Sequence, residues 1–140
     1  MKSLSVKLGV IFLGIGLIIA CAKVWGADWK KYASDANGDF YYDIKSIHLT
    51  SLGTLQVLVK WVFSEKGKID NLREFGEEQQ NVTHWLITYA YSCEHRKFFV
   101  SEITFWADEK LSGETGPLRG EWKSFTRGSP GELLYKAVCK

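Results

Sequence analysis

The sequence predicts an α+β domain: an antiparallel β-sheet of five to six strands with a C-terminal helix fastened to one face by a disulfide. Three observations carry this. Two runs, Thr54 to Phe63 and Thr83 to Cys93, alternate apolar and polar side chains with the period of two that marks a half-buried strand. A helix start stands near the C-terminus at Ser129-Pro130-Gly131-Glu132: a Ser cap, Pro at the first helical position, and Glu placed to close a capping box. Cys93 and Cys139 then form an even pair, one ending the second strand and the other ending that helix.

Taken in order, residues 1–26 read as an export signal, with Lys2 and Lys7 ahead of an apolar run from Leu8 to Ala20 that is short for a membrane span. Ala20-Cys21-Ala22 and Val24-Trp25-Gly26 both fit small-x-small cleavage, while Ile18-Ile19-Ala20-Cys21 fits a lipobox that would make Cys21 the lipidated first residue. Both outcomes stay open at this point, and a lipid on Cys21 is the one contact with a membrane that the sequence offers. The domain itself spans 27–140. The whole chain carries 18 basic and 16 acidic residues, but Lys2, Lys7 and Lys23 lie in or beside the leader, so the domain is close to neutral. No basic field advertises nucleic acid as a partner.

The opening Ala-Asp-Trp-Lys-Lys-Tyr leads to a turn at Asn37-Gly38-Asp39, where positive φ is tolerated, and Phe40-Tyr41-Tyr42 returns as a strand. Asp43 is placed to accept backbone hydrogen bonds in the bend that follows, and Gly53 marks the next turn. Thr54 to Phe63 sets Leu55, Val57, Val59, Trp61 and Phe63 on one face. Residues 64–82 are polar and read as a long connection with at most a broken helix around Leu72 to Gln80. Thr83 to Cys93 sets Trp85, Ile87, Tyr89, Tyr91 and Cys93 on one face, so the helix bearing Cys139 is expected to dock there. Glu94 to Lys97 is the turn, Phe98 to Trp106 the return strand, and Asp108 to Gly120 a loop, or loop, strand end and turn. In the final helix Leu133, Leu134, Ala137 and Val138 form the apolar stripe, with Glu132 and Lys136 free to face water. A helix this short is not stable alone in water, so it must dock. Its bridge to Cys93 closes a loop of about 45 residues, stabilising the fold by ~4 kcal/mol in the chain-entropy model; two buried thiols are the competing reading. A sheet so rich in aromatics, covered by one small helix, would also suit a homodimer.

The order of these elements resembles the surface-adhesin protein E family of exported Gram-negative envelope proteins. The resemblance rests on Trp29; Tyr41-Tyr42-Asp43 with Ser46-Ile47; Val59-Lys60-Trp61; Cys93-Glu94 with Arg96; Trp122; and Ser129-Pro130 with Glu132 leading to Cys139. It implies an antiparallel sheet with a disulfide-fastened C-terminal helix and a place in the cell envelope; the family includes an adhesin for host matrix and serum proteins, and the resemblance leaves the ligand of this chain unassigned. Ala107-Asp108-Glu109-Lys110 departs from the family, which commonly carries an Asp and a Gly turn there, as does a longer, more acidic loop at Glu74 to Gln80.

His48, His84 and His95 fall on separate elements with no carboxylate or Cys at useful spacing, so neither a metal nor a cofactor is expected. Phosphate-loop, nucleophile-elbow and His-Glu-x-x-His motifs are missing, and no catalytic residue is assigned. The candidate binding surface is the basic tip His95, Arg96 and Lys97, together with Trp106 and Trp122 near strand ends; Trp61 and Trp85 read as core. The expected function is a non-enzymatic binding domain of the periplasm or cell envelope, its partner a protein or an extracellular or envelope polymer. A structural or assembly subunit of an envelope complex is the alternative, and a small hydrolase or inhibitor-type domain the third reading.

Overall fold

The computed structural model describes residues 26–140; the leader, Gly26 apart, and with it Cys21, falls outside the described residues. One antiparallel sheet organises the domain. Its strands are β1 (Trp29–Asp35), β2 (Gly38–Asp43), β3 (His48–Leu49), β4 (Leu55–Phe63), β5 (His84–Ser92), β6 (Lys97–Ala107), β7 (Lys110–Glu114) and β8 (Lys123–Ser124), with helices α1 (Glu65–Phe75) and α2 (Pro130–Val138). The order across the sheet is β1-β2-β4-β5-β6-β7, with β3 also pairing β4 and β8 also pairing β6. The sheet therefore has eight strands, not five to six. Two of the additional strands are two-residue ladders, too short to show any alternation, and β7 lies in the glycine-containing stretch expected to be mainly loop.

The two long alternating runs become β4 and β5, paired in the register Val57↔Tyr89, Val59↔Ile87 and Trp61↔Trp85. That register puts the five predicted apolar residues of β4, and Trp85, Ile87, Tyr89 and Tyr91 of β5, on one face, and Val57, Val59, Phe63, Trp85, Ile87 and Tyr91 are buried there beside Phe40 and Tyr42 of β2; Cys93 falls just past the end of β5. The bend after β2 forms as expected, with Asp43 Oδ1 accepting from the backbone N–H of Lys45 at 3.0 Å and of Asp28 at 2.9 Å.

The stretch 64–82 holds a helix that the sequence reading missed. Ser64 caps α1, its Oγ accepting from the Gly67 N–H at 3.0 Å, and Gly76 ends it at φ 84. The chain there is polar because α1 rests on the domain mainly through polar contacts. Its start docks on the β1–β2 turn, where the Ser64 N–H donates to the Asn37 carbonyl at 3.0 Å and the Ser64 hydroxyl to the Ala36 carbonyl at 2.7 Å. At its other end Asn71 and Trp85 both donate to Gln79 Oε1, at 2.7 and 2.9 Å, all three side chains being buried. Two helices, not one, thus flank the aromatic face.

Helix α2 crosses the same face, with Leu134 and Val138 buried against the core. The predicted stripe shifts slightly: Leu133 is exposed, and Tyr135 turns inward to pack on Phe125. Cys139 forms the expected disulfide with Cys93, their Cα atoms 5.5 Å apart. Glu132 does not simply face water. Its carboxylate bends back to accept from the Gly128 N–H at 3.2 Å, with Lys136 Nζ at 3.5 Å. The Gly128 bond, followed by the Lys136 charge, holds the Glu132 carboxyl below its ordinary value of 4.5. A depressed folded-state value means this contribution is complete above the unfolded pKa and disappears as pH falls through the folded one. Urea unfolding of Glu132→Gln should accordingly show a shallower loss of stability below about pH 4.5 than the wild type, with the two curves parallel at neutral pH.

Candidate functional site

The end of the sheet that carries the disulfide is where candidate residues meet. Between β3 and β4, the Gly53 N–H donates to the Thr50 carbonyl at 3.0 Å with Gly53 at φ 79, a tight loop that thrusts Leu49 and Leu52 outward. These two leucines are 72% and 89% exposed. Across from them, β5 and β6 turn over at Glu94 to Arg96, with Arg96 at φ 54 and the Ser92 hydroxyl accepting from the His95 N–H at 3.3 Å. Trp122 completes the enclosure: it stands edge-on to Phe99 with ring centroids 4.7 Å apart, yet stays 41% exposed. Together these elements bound a groove of about 780 Å³, with Leu49, Leu52, His95, Lys97 and Trp122 on its walls and Cys93 in its lining.

Of the five residues in the predicted surface, His95, Lys97 and Trp122 share this groove. Arg96 does not. Its guanidinium lies 5.1 Å from the centre of the Tyr135 ring, and the Tyr135 hydroxyl donates to the Cys93 carbonyl at 2.9 Å, so Arg96 helps hold the turn onto α2. Trp106 is at the opposite end of β6, roughly 30 Å away at strand rise. There its indole donates to Thr104 Oγ1 at 2.8 Å and its ring stacks on His84, centroids 6.1 Å apart. Burial, then the nearby Lys60 charge, pushes the His84 imidazole below its usual range, which suits a stacking partner more than a cation.

Leu49 and Leu52 escaped the sequence reading. Gly53 was legible as a turn, but two leucines beside a turn look like strand ends until their exposure is known.

Electrostatically the groove is mixed, with Lys97 and Glu94 in its lining and Glu94 Oε2 4.0 Å from His95 Nε2. Among the described residues, no three His, Cys, Asp or Glu side chains gather to hold a metal ion. The arrangement offers apolar contact area with a polar rim and a backbone stiffened from below by the disulfide. A match to the surface-adhesin protein E family model runs over residues 29–140. The chain belongs to that family. No curated protein and no solved structure matches it. As a surface-adhesin protein E domain, it is an adhesin-like surface protein, and its Cys93–Cys139 bridge and terminal helix are what the resemblance implied. No helix among the described residues of this adhesin-family domain is long and apolar enough to cross a membrane.

Proposed function

We propose that the domain is a non-enzymatic binding module of the cell envelope that takes a protein partner in the groove between Leu49, Leu52 and Trp122. The observation that carries this is the exposure of those three large apolar side chains around one concavity. Exposed apolar surface of this kind, rimmed by polar groups, is characteristic of protein-binding sites, and Trp is the side chain most enriched among residues that dominate binding energy. Balanced charge on the rim argues against a polyanionic polymer, which would call for a basic surface. The resemblance to adhesins directs attention to matrix and serum proteins as the partner class.

Surface plasmon resonance of the full exported chain against a panel of such proteins tests the reading. Trp122→Ala and Leu52→Asp should each weaken the wild-type interaction at least tenfold, while Trp106→Ala, far along β6, should leave it unchanged. An interaction indifferent to both groove variants would place the binding surface elsewhere. A stoichiometric complex with an endogenous envelope protein, in place of any host-protein binding, would favour the assembly-subunit alternative.

A further inference from the structure

The sheet has two edges, and the fold treats them differently. At β1 the terminal helix α2 packs against the strand. At the other edge β7 pairs with β6 alone, and among the described residues no backbone bond beyond that pairing reaches residues 110–114. A free strand edge presents unpaired N–H and C=O groups, a template for another extended chain, which is why proteins commonly cover or interrupt such edges. Four of the five residues of β7 are exposed and Gly113 is half-buried.

Beside this edge, on the aromatic face, lies a concavity of about 530 Å³. Phe105 is its apolar floor. Gly113 stands cross-strand from Phe105, and a Cβ built on it would sit 3.4 Å from the Phe105 ring, so the ring leans over the glycine toward the open edge. Glu77 and Glu78, from the turn after α1, and Glu114, at the end of β7, stand around the ring. No Lys, Arg or His lines the concavity, and none of these three carboxylates forms an ion pair among the described residues. The acidic stretch at Glu74 to Gln80 and the turn at Ala107 to Lys110 that opens β7, both departures of this chain from its family, thus meet at one corner of the sheet.

We propose that β7 takes an extended basic segment of a partner protein as an added strand, with one arginine of that segment laid over Phe105 and its guanidinium among Glu77, Glu78 and Glu114. In strand addition the main chain supplies affinity, while pockets for alternate side chains supply specificity. A residue added opposite Gly113 projects its side chain to the face that carries Phe105. Arginine suits that position: its stem and planar guanidinium pack on an aromatic ring, and its charge answers three carboxylates that have no cation of their own. The corner lies at the far end of β6 from Lys97 and the groove, so this site stands or falls separately from the groove reading.

The probe is the peptide acetyl-Thr-Val-Arg-Val-Thr-Ser-amide, titrated into the full exported chain by calorimetry, with amide hydrogen exchange followed along the sheet. Saturable binding is expected, weakening as salt rises, with exchange slowed at Lys110 to Glu114 and unchanged along β1. The same peptide with citrulline for arginine should bind at least tenfold more weakly, and one with alternate backbone nitrogens methylated should not bind. The triple variant Glu77→Gln, Glu78→Gln, Glu114→Gln should weaken the arginine peptide at least tenfold and erase its advantage over citrulline, whereas Trp122→Ala, in the groove, should leave binding intact. No saturable binding, binding without protection of β7, equal affinity for citrulline, or undiminished binding of the methylated peptide would each overturn the proposal. Should the triple variant fail to fold, the three peptides compared on the wild type decide alone.

Discussion

Replacing Cys139 with Ser lowers the stability of the oxidised domain by about 4 kcal/mol in the chain-entropy model, because the bridge closes a loop across a sequence separation of 46 residues. The consequence is local as well as global. Helix α2 has only nine residues and is marginal without docking, and the same bridge underlies the groove because Cys93 belongs to its lining. Guanidinium melts of wild type and variant, each with and without reductant, check this. Wild type under reductant should fall to the stability of the variant, and the variant should be indifferent to reductant; coincident oxidised melts would remove the disulfide from any role in stability. Hydrogen exchange at Leu134 and Val138 should rise first, since these residues anchor the helix that the bridge ties down.

Gly67→Ala is expected to cost about 3 kcal/mol, although the same exchange at an ordinary helix-interior position stabilises by about 1 kcal/mol. Gly67 is buried in the first turns of α1, facing the β1–β2 turn. A Cβ built there overlaps the carbonyl oxygen and carbon of Asn37, which are backbone atoms that cannot rotate aside. The same turn leaves no room at Gly38, where a Cβ would meet the Val62 carbonyl and φ is 149. Relief of the Gly67 clash requires α1 to lift from the turn, breaking the Ser64 bonds to Ala36 and Asn37. Urea denaturation measures the sign directly, with the exposed Glu65→Ala as a control expected within about 0.5 kcal/mol of wild type. A stabilised Gly67→Ala protein would mean that α1 does not sit against the turn.

The strands β4 and β5 were legible because alternation is written in consecutive residues, and α2 because its cap, first-turn Pro and Glu stand within four positions of one another. The disulfide was legible because strand parity and helix position brought Cys93 and Cys139 to the same face. Helix α1 was harder: Ser64 is a good cap, but the apolar residues that might have announced a helix, Ile69, Leu72 and Phe75, are largely exposed, and the contacts that hold it are hydrogen bonds from Ser64 to Ala36 and Asn37 and from Asn71 to Gln79. At the candidate surface, His95, Lys97 and Trp122 were recognised as polar or aromatic residues near strand ends. Their company was not, since Leu49 and Leu52 come from the end of β3 and the loop after it, more than forty residues earlier. Arg96 carries the same local signature as Lys97, yet Tyr135 claims it.

What the sequence by itself determined was the face each strand presents, the start of the terminal helix, the covalent tie and the neutrality of the domain, all consequences of residue spacing and type over short range. Only the tertiary structure decided which exposed side chains share a groove, which carboxylates gather beside a free strand edge, and where a glycine is indispensable. Those properties depend on distances between segments remote in the chain, and such distances are set by sheet register and helix docking acting together.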